Sequence, residues 1–227
     1  MKRLVLFDID GTLVAGGAAK EAFHLALVEV FGTAGPIEGW EFSGKTDPQI
    51  ARELLTEAGL EAGHIDSGLP RLWSQYVLEL ETRLPTLPPR TLPGVVPLLS
   101  HLGEVAGAPL GLLTGNVREG ARLKLTAVGL ASWFQVGAYG SDHESRNELP
   151  AIALGRARDH WGVEFPAGSV VVIGDTPRDV ACGQRAGART VAVATGRFDT
   201  EVLGKAGADV VLPDFGDTDR VVDAILN

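Results

Sequence analysis

A short apolar run near the start of the chain constrains the fold more than any other stretch. It covers residues 4–7, with the sequence LVLF, and it ends at two acids, Asp8 and Asp10, before a turn at Gly11. An unbroken apolar run of this length is typical of a strand buried on both faces, because helices cover both sides of a parallel sheet. The stretch therefore predicts a central strand that carries two carboxylates at its end.

The part of the sequence that follows residue 93 alternates between short apolar runs and helical patterns. Such alternation is typical of an α/β fold in which a parallel sheet has helices on both faces. Apolar residues that recur every three or four positions indicate the helices, the first of which is predicted over residues 95–102. The predicted strands of this part cover residues 110–113, 133–136, 169–173, 189–193 and 209–212.

Residues 14–88 have a different pattern, which predicts helices and no strand. An apolar stripe that starts at Phe23, a helix-start signal at Asp47 and a longer stripe over residues 69–84 predict three helices. Segment 85–93 contains four prolines, which exclude a regular helix or a central strand there. We therefore expect a hinge or linker between the helical part and the alternating part.

Composition and charge exclude several classes of function. The chain has 227 residues, of which 45% are hydrophobic, and its net charge of −9 opposes binding to nucleic acid or to an anionic membrane. Cys182 is the only cysteine, which excludes an intrachain disulfide and a four-thiolate zinc site. Lys2 and Arg3 precede an apolar run that is too short for a signal peptide or a membrane span. We therefore expect a cytoplasmic protein.

Polar side chains follow four of the predicted strands at the point where each strand ends. Asp8 and Asp10 follow the first strand, Thr114 and Asp175 follow two others, and Arg146 lies in the loop after a further one. Ligands of an open parallel sheet bind beyond the carboxyl ends of its strands. The sequence therefore predicts that these residues form one site at one edge of the sheet.

These residue types suit phosphoryl transfer with a magnesium ion. Mg²⁺ prefers oxygen ligands, which the side chains of Asp8 and Asp175 and the backbone carbonyl of Asp10 can supply. One aspartate can then act as the nucleophile, while Asp10 protonates the leaving oxygen and later deprotonates the attacking water. The hydroxyl of Thr114, the amides after it and the guanidinium of Arg146 suit the charge of the transferred group.

Several of these residues can also be explained by a structural role rather than a catalytic one. Asp8 and Asp10 can belong to an ordinary turn at Gly11, and Arg146 can be a solvated surface residue. Asp179 lies three residues after Thr176, where a carboxylate favours a helix N-terminus with or without a metal ion. The five histidines lack the spacing of metal ligands.

Three separated motifs resemble those of the haloacid dehalogenase-like (HAD) hydrolase superfamily, in its phosphoglycolate-phosphatase-like branch with a helical cap. Residues 8–12, DIDGT, match the DxDGT signature, and the resemblance implies Asp8 as nucleophile and Asp10 as general acid/base. Residues 114–116, TGN, resemble the phosphate-binding Ser/Thr motif. Residues 174–179, GDTPRD, resemble the GDxxxD motif, which implies that Asp175 is a metal ligand and that Asp179 is a ligand or supports one.

The resemblance also implies the domain organisation. It predicts a Rossmann-like, three-layer core with a parallel sheet over residues 1–13 and 89–227, and an inserted α-helical cap over residues 14–88. The family usually has a lysine as its third motif, but the interval between Thr114 and Gly174 contains only Lys124, in the helix directly after the threonine motif. We infer that Arg146 replaces this lysine.

The sequence therefore predicts a Mg²⁺-dependent phosphatase that acts on a small phosphorylated metabolite through an aspartyl-phosphate on Asp8. Alternatives are a phosphomutase, phosphonate hydrolase, pyrophosphatase or dehalogenase of the same superfamily, or a non-catalytic protein that binds a phosphorylated ligand. Lys45 is predicted to bind the leaving group, although it can equally be solvated. The predicted metal ligands are Asp8, Asp10, Asp175 and Asp179, and the predicted substrate-binding residues are Gly11, Thr12, Lys45, Gly115 and Asn116. The substrate and the oligomeric state stay open.

Overall fold

Eight strands and nine α-helices form the part of the chain that the structure describes. This computed structural model describes residues 3–227, so Met1 and Lys2, at the start of the predicted core segment, lie outside the described residues. The strands, in chain order, are β1 (Leu4–Phe7), β2 (Val14–Ala15), β3 (Arg90–Thr91), β4 (Leu110–Thr114), β5 (Val136–Tyr139), β6 (Val170–Gly174), β7 (Arg189–Val193) and β8 (Val210–Leu212). The helices are α1 (Ala19–Phe31), α2 (Asp47–Glu57), α3 (Ala62–Arg83), α4 (Val95–Ser100), α5 (Arg118–Ala127), α6 (Leu149–Trp161), α7 (Pro177–Arg185), α8 (Thr200–Lys205) and α9 (Thr218–Leu226).

Six strands form one sheet in which every neighbouring pair is parallel. Their order is β5-β4-β1-β6-β7-β8, so β1 lies between β4 and β6. Phe7, the last residue of β1, pairs with Leu112 of β4 and with Ile173 of β6. The residues that follow these three strands consequently meet at one edge of the sheet. This topology confirms the predicted α/β fold.

The apolar run of β1 packs against helices on both faces of the sheet. Val5 and Phe7 lie in one cluster with apolar residues of α4, α5 and α9. Leu4 and Leu6 point the other way, into a cluster with residues of α6 and α7. All four side chains are fully buried, which explains why the run lacks the polar alternation of a half-exposed strand.

Helices α1–α3 form an inserted helical region with an apolar cluster of its own. α1 packs along α3, and Phe23, Leu54 and Tyr76 lie in this cluster. Gly32 ends α1 in the left-handed conformation, as its position after the apolar stripe predicts. α3 begins at Ala62, seven residues before the predicted stripe, because its first two turns expose most of their side chains.

Three sequence-based predictions were wrong: residues 14–88 do contain a strand, β2, and two element boundaries differ. β2 pairs with β3 in a small antiparallel sheet where the chain enters and leaves the helical region, and a two-residue strand is too short to produce an apolar alternation. β5 begins at Val136 rather than Trp133, because Ala131–Trp133 forms a 3₁₀ turn whose Trp133 packs on the apolar cluster outside the sheet. α4 ends at Ser100 and continues as one π-helical turn, His101–Val105.

Candidate active site

A cavity of about 450 Å³ lies between the edge of the sheet and the helical region. Its core side carries Asp8 and Asp10, which follow β1, and Asp175, which follows β6. Phe23 and Tyr76, from α1 and α3, lie on its other side. The topology therefore brings the predicted acids together in a space large enough for a small metabolite.

Three carboxylates form a buried cluster at the base of this cavity. One oxygen from each of Asp8, Asp175 and Asp179 lies within 4.8 Å of the other two, and these residues are only 5%, 4% and 2% exposed. Burial raises the pKa of Asp8 although the charge of Arg146 opposes the shift, and burial together with the charges of Asp179 and Asp8 raises the pKa of Asp175. A cation in this cluster would stabilise the ionised forms.

Arg146 lies inside the site and is not a surface residue. Its Nη2 atom donates to Oδ1 of Asp8 at 3.0 Å, to the carbonyl of Leu113 at 3.2 Å and to Oδ1 of Asp179. Burial alone would lower its pKa, but the charges of Asp179 and Asp8 outweigh burial and raise it, so the guanidinium is permanently charged. Among the residues that the structure describes, Arg146 Nε is the only buried side-chain nitrogen or oxygen without a hydrogen-bond partner.

The two oxygens of Asp8 have different surroundings. Oδ1 accepts from Arg146, whereas Oδ2 has no donor among the described residues and Asp8 lines the cavity. The backbone amide of Asp8 donates to the carbonyl of Ile173 at 2.9 Å, which continues the pairing of β1 with β6 and fixes the backbone. One carboxylate oxygen is therefore held while the other is available to a ligand.

Asp10 lies beside a buried lysine. Lys124 Nζ donates to Oδ1 and Oδ2 of Asp10 at 3.0 and 2.8 Å, and to Oδ1 of Asn116 at 2.6 Å. Asn116 in turn donates to Oδ2 of Asp10 at 2.7 Å. Partial loss of hydration opposes ionisation of Asp10, but the charge of Lys124 and the hydrogen bonds from Lys124 and Asn116 outweigh it, so the pKa of Asp10 lies below its ordinary value. The side chain of Asp10 keeps 47% exposure because it faces the cavity.

Of the residues of the threonine motif, Thr114 is buried, whereas Gly115 and Asn116 reach the cavity. Thr114 is fully buried, and its hydroxyl accepts from the backbone amide and the side chain of Asn116 at 3.3 and 2.9 Å. Gly115 and Asn116 line the cavity above it. Thr114 thus orients Asn116, which contacts Asp10.

Gly11 and Thr12 lie against Asp175. The hydroxyl of Thr12 donates to Oδ1 of Asp175 at 3.4 Å, and the carbonyl of Gly11 accepts from Thr195 at 2.5 Å. Gly11 has a φ of +83°, and a Cβ there or at Gly196 would collide with the carboxylate of Asp175. The two glycines leave the space in which this carboxylate lies.

Asp179 has a structural role whether or not it holds a metal ion. Its Oδ2 accepts from the backbone amide and the hydroxyl of Thr176 at 3.0 and 2.7 Å, and Thr176 accepts in return from the amide of Asp179. This capping box begins α7. Because Oδ1 accepts from Arg146, both oxygens of Asp179 already have protein partners.

A docking segment, residues 44–47, joins the helical region to the core. Arg146 donates to the carbonyl of Gly44 at 3.3 Å, and Thr46 donates to the carbonyl of Glu144 at 2.6 Å. The amide of Asp47 donates to the carbonyl of Gly115, and its carboxylate accepts from the amide of Val117, both at 2.8 Å. A Cβ at Gly115 would collide with this segment.

Lys45 lines the cavity, but its charge has a partner. Its ammonium contacts Glu53 and lies 5.4 Å from the centre of the Trp40 ring. The structure therefore brings Lys45 near the predicted site without leaving its charge free.

Sequence reasoning missed three residues of the site. The sequence pattern places Lys124 in a helix after the threonine motif, makes Asp47 a helix start and includes Tyr76 in the apolar stripe over residues 69–84, and it assigns none of the three to the site. All three line the cavity. A usable signal existed for Lys124, because it follows Val117 by seven residues and so falls on the buried stripe of α5.

Comparison with known proteins assigns the family. The profile of the haloacid dehalogenase-like hydrolases matches residues 5–193. The chain belongs to this family. It is thus a HAD hydrolase, and the resemblance that the three motifs carry is confirmed.

Known HAD hydrolases match this chain over almost its whole length. A phosphoglycolate phosphatase of Synechococcus elongatus is 31% identical over 208 residues, which are 92% of this chain and 91% of that protein. A phosphoglycolate phosphatase of Rhodospirillum rubrum is 29% identical, with coverage of 95% and 88%. The crystal structure of a predicted phosphoglycolate phosphatase from Haemophilus somnus has a TM-score of 0.69, 21% identity and coverage of 97% and 98%. This last likeness shows the shared fold.

The helices of the described residues are too short or too polar to span a membrane. Over residues 3–227, no helix of this HAD hydrolase combines the length and the apolar character needed to cross a bilayer.

Proposed function

We propose that this HAD hydrolase is a Mg²⁺-dependent phosphatase that acts on a small phosphomonoester. Asp8 is the nucleophile, and Asp10 is the general acid/base. Residues 14–88 are the cap, and residues 1–13 and 89–227 are the core. The substrate is a small phosphorylated metabolite.

The observation that carries this proposal is the asymmetry of the Asp8 carboxylate. Its Oδ1 accepts from Arg146 at 3.0 Å, whereas its Oδ2 has no donor among the described residues, and Asp8 lines the cavity. A carboxylate that is fixed through one oxygen and free at the other is suited to attack in a defined direction.

The carboxylate cluster fits a magnesium ion. Asp8, Asp175 and Asp179 offer hard oxygen donors within 4.8 Å of one another, and burial raises the pKa of the first two in the absence of a cation. Asp8, Asp175 and the carbonyl of Asp10 would hold the ion, with Asp179 as a ligand or as support through Arg146. When bound, Mg²⁺ would offset the clustered negative charge and polarise the phosphoryl group.

The reaction then proceeds in two displacements. In the first, Oδ2 of Asp8 forms a bond to phosphorus, the bond between phosphorus and the leaving oxygen breaks, and Asp10 gives its proton to that oxygen. In the second, water attacks phosphorus, its proton goes to Asp10, and the bond to Asp8 breaks to release inorganic phosphate. Lys124 favours the carboxylate form of Asp10, which is the form that the second displacement needs.

Arg146 and the loop after β4 supply positive character for the transferred group. Arg146 presents a buried guanidinium beside Asp8, and Gly115 and Asn116 line the cavity near Asp10. Such fixed donors stabilise charge that develops on the phosphoryl oxygens. Arg146 thus serves where the family usually has a lysine.

The names of the relatives support a phosphatase, since the proteins from Synechococcus elongatus and Rhodospirillum rubrum are both phosphoglycolate phosphatases. Among the alternatives, a dehalogenase needs no protonation of its leaving group, so the network of Lys124, Asn116 and Asp10 would have no role in it. A non-catalytic binder would not need the free oxygen of Asp8.

The decisive experiment measures hydrolysis of p-nitrophenyl phosphate with Mg²⁺ and with EDTA. Turnover is expected only with Mg²⁺, and Asp8→Asn is expected to lower kcat by about a thousandfold or more. Asp159→Asn, at an exposed position of α6 that pairs with Arg158, serves as the matched control. Equal activity of Asp8→Asn and the control would overturn the proposal.

A further inference from the structure

The cap side of the cavity presents polar atoms that have no partner in the protein. Tyr76 is 2% exposed and lines the cavity, yet its hydroxyl makes no hydrogen bond within the described part of the chain. Asp47 also lines the cavity, and only its Oδ2 has a partner, the amide of Val117. Both groups face the cavity, where a ligand or solvent can reach them, so they point to a ligand that completes their hydrogen bonds.

The place of Tyr76 is fixed by its neighbours. Its ring packs edge-on against Phe23, with 5.5 Å between the ring centres. It also lies against Gly120 of α5, where a Cβ would be 3.1 Å from Cε1 and 3.6 Å from the hydroxyl oxygen. Gly120 is one helical turn before Lys124, which contacts Asp10. The Tyr76 hydroxyl is therefore held on the side of the cavity where the leaving group departs.

The cations around the cavity are already paired with acids. Lys124 directs its three donors to both oxygens of Asp10 and to Asn116, and Arg146 contacts Asp8 and Asp179. The other three lining cations have glutamate partners: Lys20 with Glu38, Lys45 with Glu53 and Arg197 with Glu41. Within residues 3–227, the lining therefore holds no unpaired cation for a substrate carboxylate, and Asp47 and Asp10 would repel one.

On the basis of the proposed phosphatase function, we propose that Tyr76 and Asp47 determine specificity for a leaving group that is neutral and hydroxylated. The substrate hydroxyl donates to the carboxylate of Asp47 or bonds to the hydroxyl of Tyr76. The carbon skeleton packs on Phe23, Phe42 and Ile50, which form the apolar part of the lining. The substrate class is a phosphate ester of a small polyol rather than of a hydroxy acid.

A matched pair of substrates tests this proposal. 2-Hydroxyethyl phosphate and 2-phosphoglycolate share a two-carbon skeleton. The first ends in a hydroxymethyl group and the second ends in a carboxylate. Ethyl phosphate, which lacks both, gives the reference. With Mg²⁺ at neutral pH, kcat/KM is expected to be about tenfold or more higher for 2-hydroxyethyl phosphate than for 2-phosphoglycolate, since the site pairs a hydroxyl and repels a carboxylate.

Two variants test the residues themselves. Tyr76→Phe is expected to lower the ratio of kcat/KM for 2-hydroxyethyl phosphate over ethyl phosphate by about threefold to tenfold, the effect of one lost hydrogen bond. Tyr139→Phe removes the only other tyrosine hydroxyl of the chain and should leave this ratio unchanged. Asp47→Asn can still accept from Val117, and it is expected to raise kcat/KM for 2-phosphoglycolate.

The outcomes separate this inference from the proposed function. A preference for 2-phosphoglycolate would mean that Lys20 or Arg197 exchanges its glutamate for the substrate carboxylate, and it would overturn the inference. The inference would also be overturned by two unchanged measurements in an enzyme that still hydrolyses p-nitrophenyl phosphate. These are the ratio of kcat/KM for 2-hydroxyethyl phosphate over ethyl phosphate in Tyr76→Phe, and kcat/KM for 2-phosphoglycolate in Asp47→Asn. Failure of the wild type to hydrolyse p-nitrophenyl phosphate would contradict the phosphatase function instead.

Discussion

The Nη2 atom of Arg146 lies 3.0 Å from Oδ1 of Asp8, although 138 residues separate them in the chain. The same guanidinium contacts Asp179 and the carbonyl of Gly44 in the docking segment. One side chain thus contacts the proposed nucleophile, the capping residue Asp179 at the start of α7, and the helical region. It also leaves Oδ2 of Asp8 free.

Replacement of Arg146 should affect both activity and stability. We expect Arg146→Ala to lower kcat by about a thousandfold, and Arg146→Lys by about tenfold, because lysine keeps the charge without the planar fork. Arg146→Ala should also lower the free energy of unfolding of the metal-free protein by about 3 kcal/mol, since Asp8 and Asp179 lose their partner. Urea denaturation in EDTA measures this free energy, and Arg122→Ala, at an exposed position of α5, is the control. Equal losses of unfolding free energy in the two variants would contradict the role of Arg146 as the partner of Asp8 and Asp179.

The metal-free protein should lose stability as the pH rises. Burial raises the folded-state pKa of Asp8 and Asp175 above the unfolded value of 3.8, so the folded state binds more protons between the two values. The free energy of unfolding in EDTA should therefore fall as pH increases through this window, and Mg²⁺ should stabilise most at its upper end. Asp175→Asn should flatten the dependence and raise the melting temperature in EDTA at pH 8. A metal-free stability that rises with pH over this range would contradict the charge assignment.

Removal of Lys124 should shift the pH dependence of turnover. Lys124→Met removes the cation that holds the pKa of Asp10 low, so this pKa should rise. Because the second displacement needs Asp10 as a carboxylate, the acid limb of kcat should move to higher pH. The measurement is kcat for p-nitrophenyl phosphate from pH 4 to pH 8 in the wild type and the variant. A uniform loss without a shift would assign Lys124 a purely structural role.

The docking segment should depend on the small size of residue 115. A Cβ in Gly115→Ala would collide with the carbonyl of Lys45, so the helical region must move away from the core. We expect kcat/KM to fall by about tenfold or more, because the cavity lies between the two parts. Gly155→Ala, within α6 and with no atom near its Cβ, is the control and should keep its activity. Similar activity of both variants would argue against docking at this point.

The sheet and the edge that carries the acids were predictable because their causes are local. The apolar run of residues 4–7 is typical of a strand buried on both faces, and parallel pairing brings the residues after β1, β4, β5 and β6 to one edge of the sheet. Asp8, Asp175 and Arg146 follow from that rule. Their distances do not, since these depend on the side chains of Arg146 and Asp179.

The residues that were missed depend on contacts across the chain. Lys124 contacts Asp10, 114 residues away, and its position on the buried stripe of α5 indicates a buried lysine without identifying its partner. Tyr76 has the burial of an ordinary core residue, and only the cavity beside its hydroxyl distinguishes it. β2 and β3 form only because the two chain crossings lie side by side.

The most direct test of the central claim is the detection of a phosphoryl group on Asp8. In Asp10→Asn, the first displacement with p-nitrophenyl phosphate needs no acid, whereas the second lacks its base. Rapid mixing with Mg²⁺ should release one p-nitrophenol per active site and then almost none. The quenched protein should carry a hydroxylamine-sensitive phosphoryl group that peptide mapping assigns to Asp8. Steady turnover without a burst, or a phosphoryl group on another residue, would contradict the account.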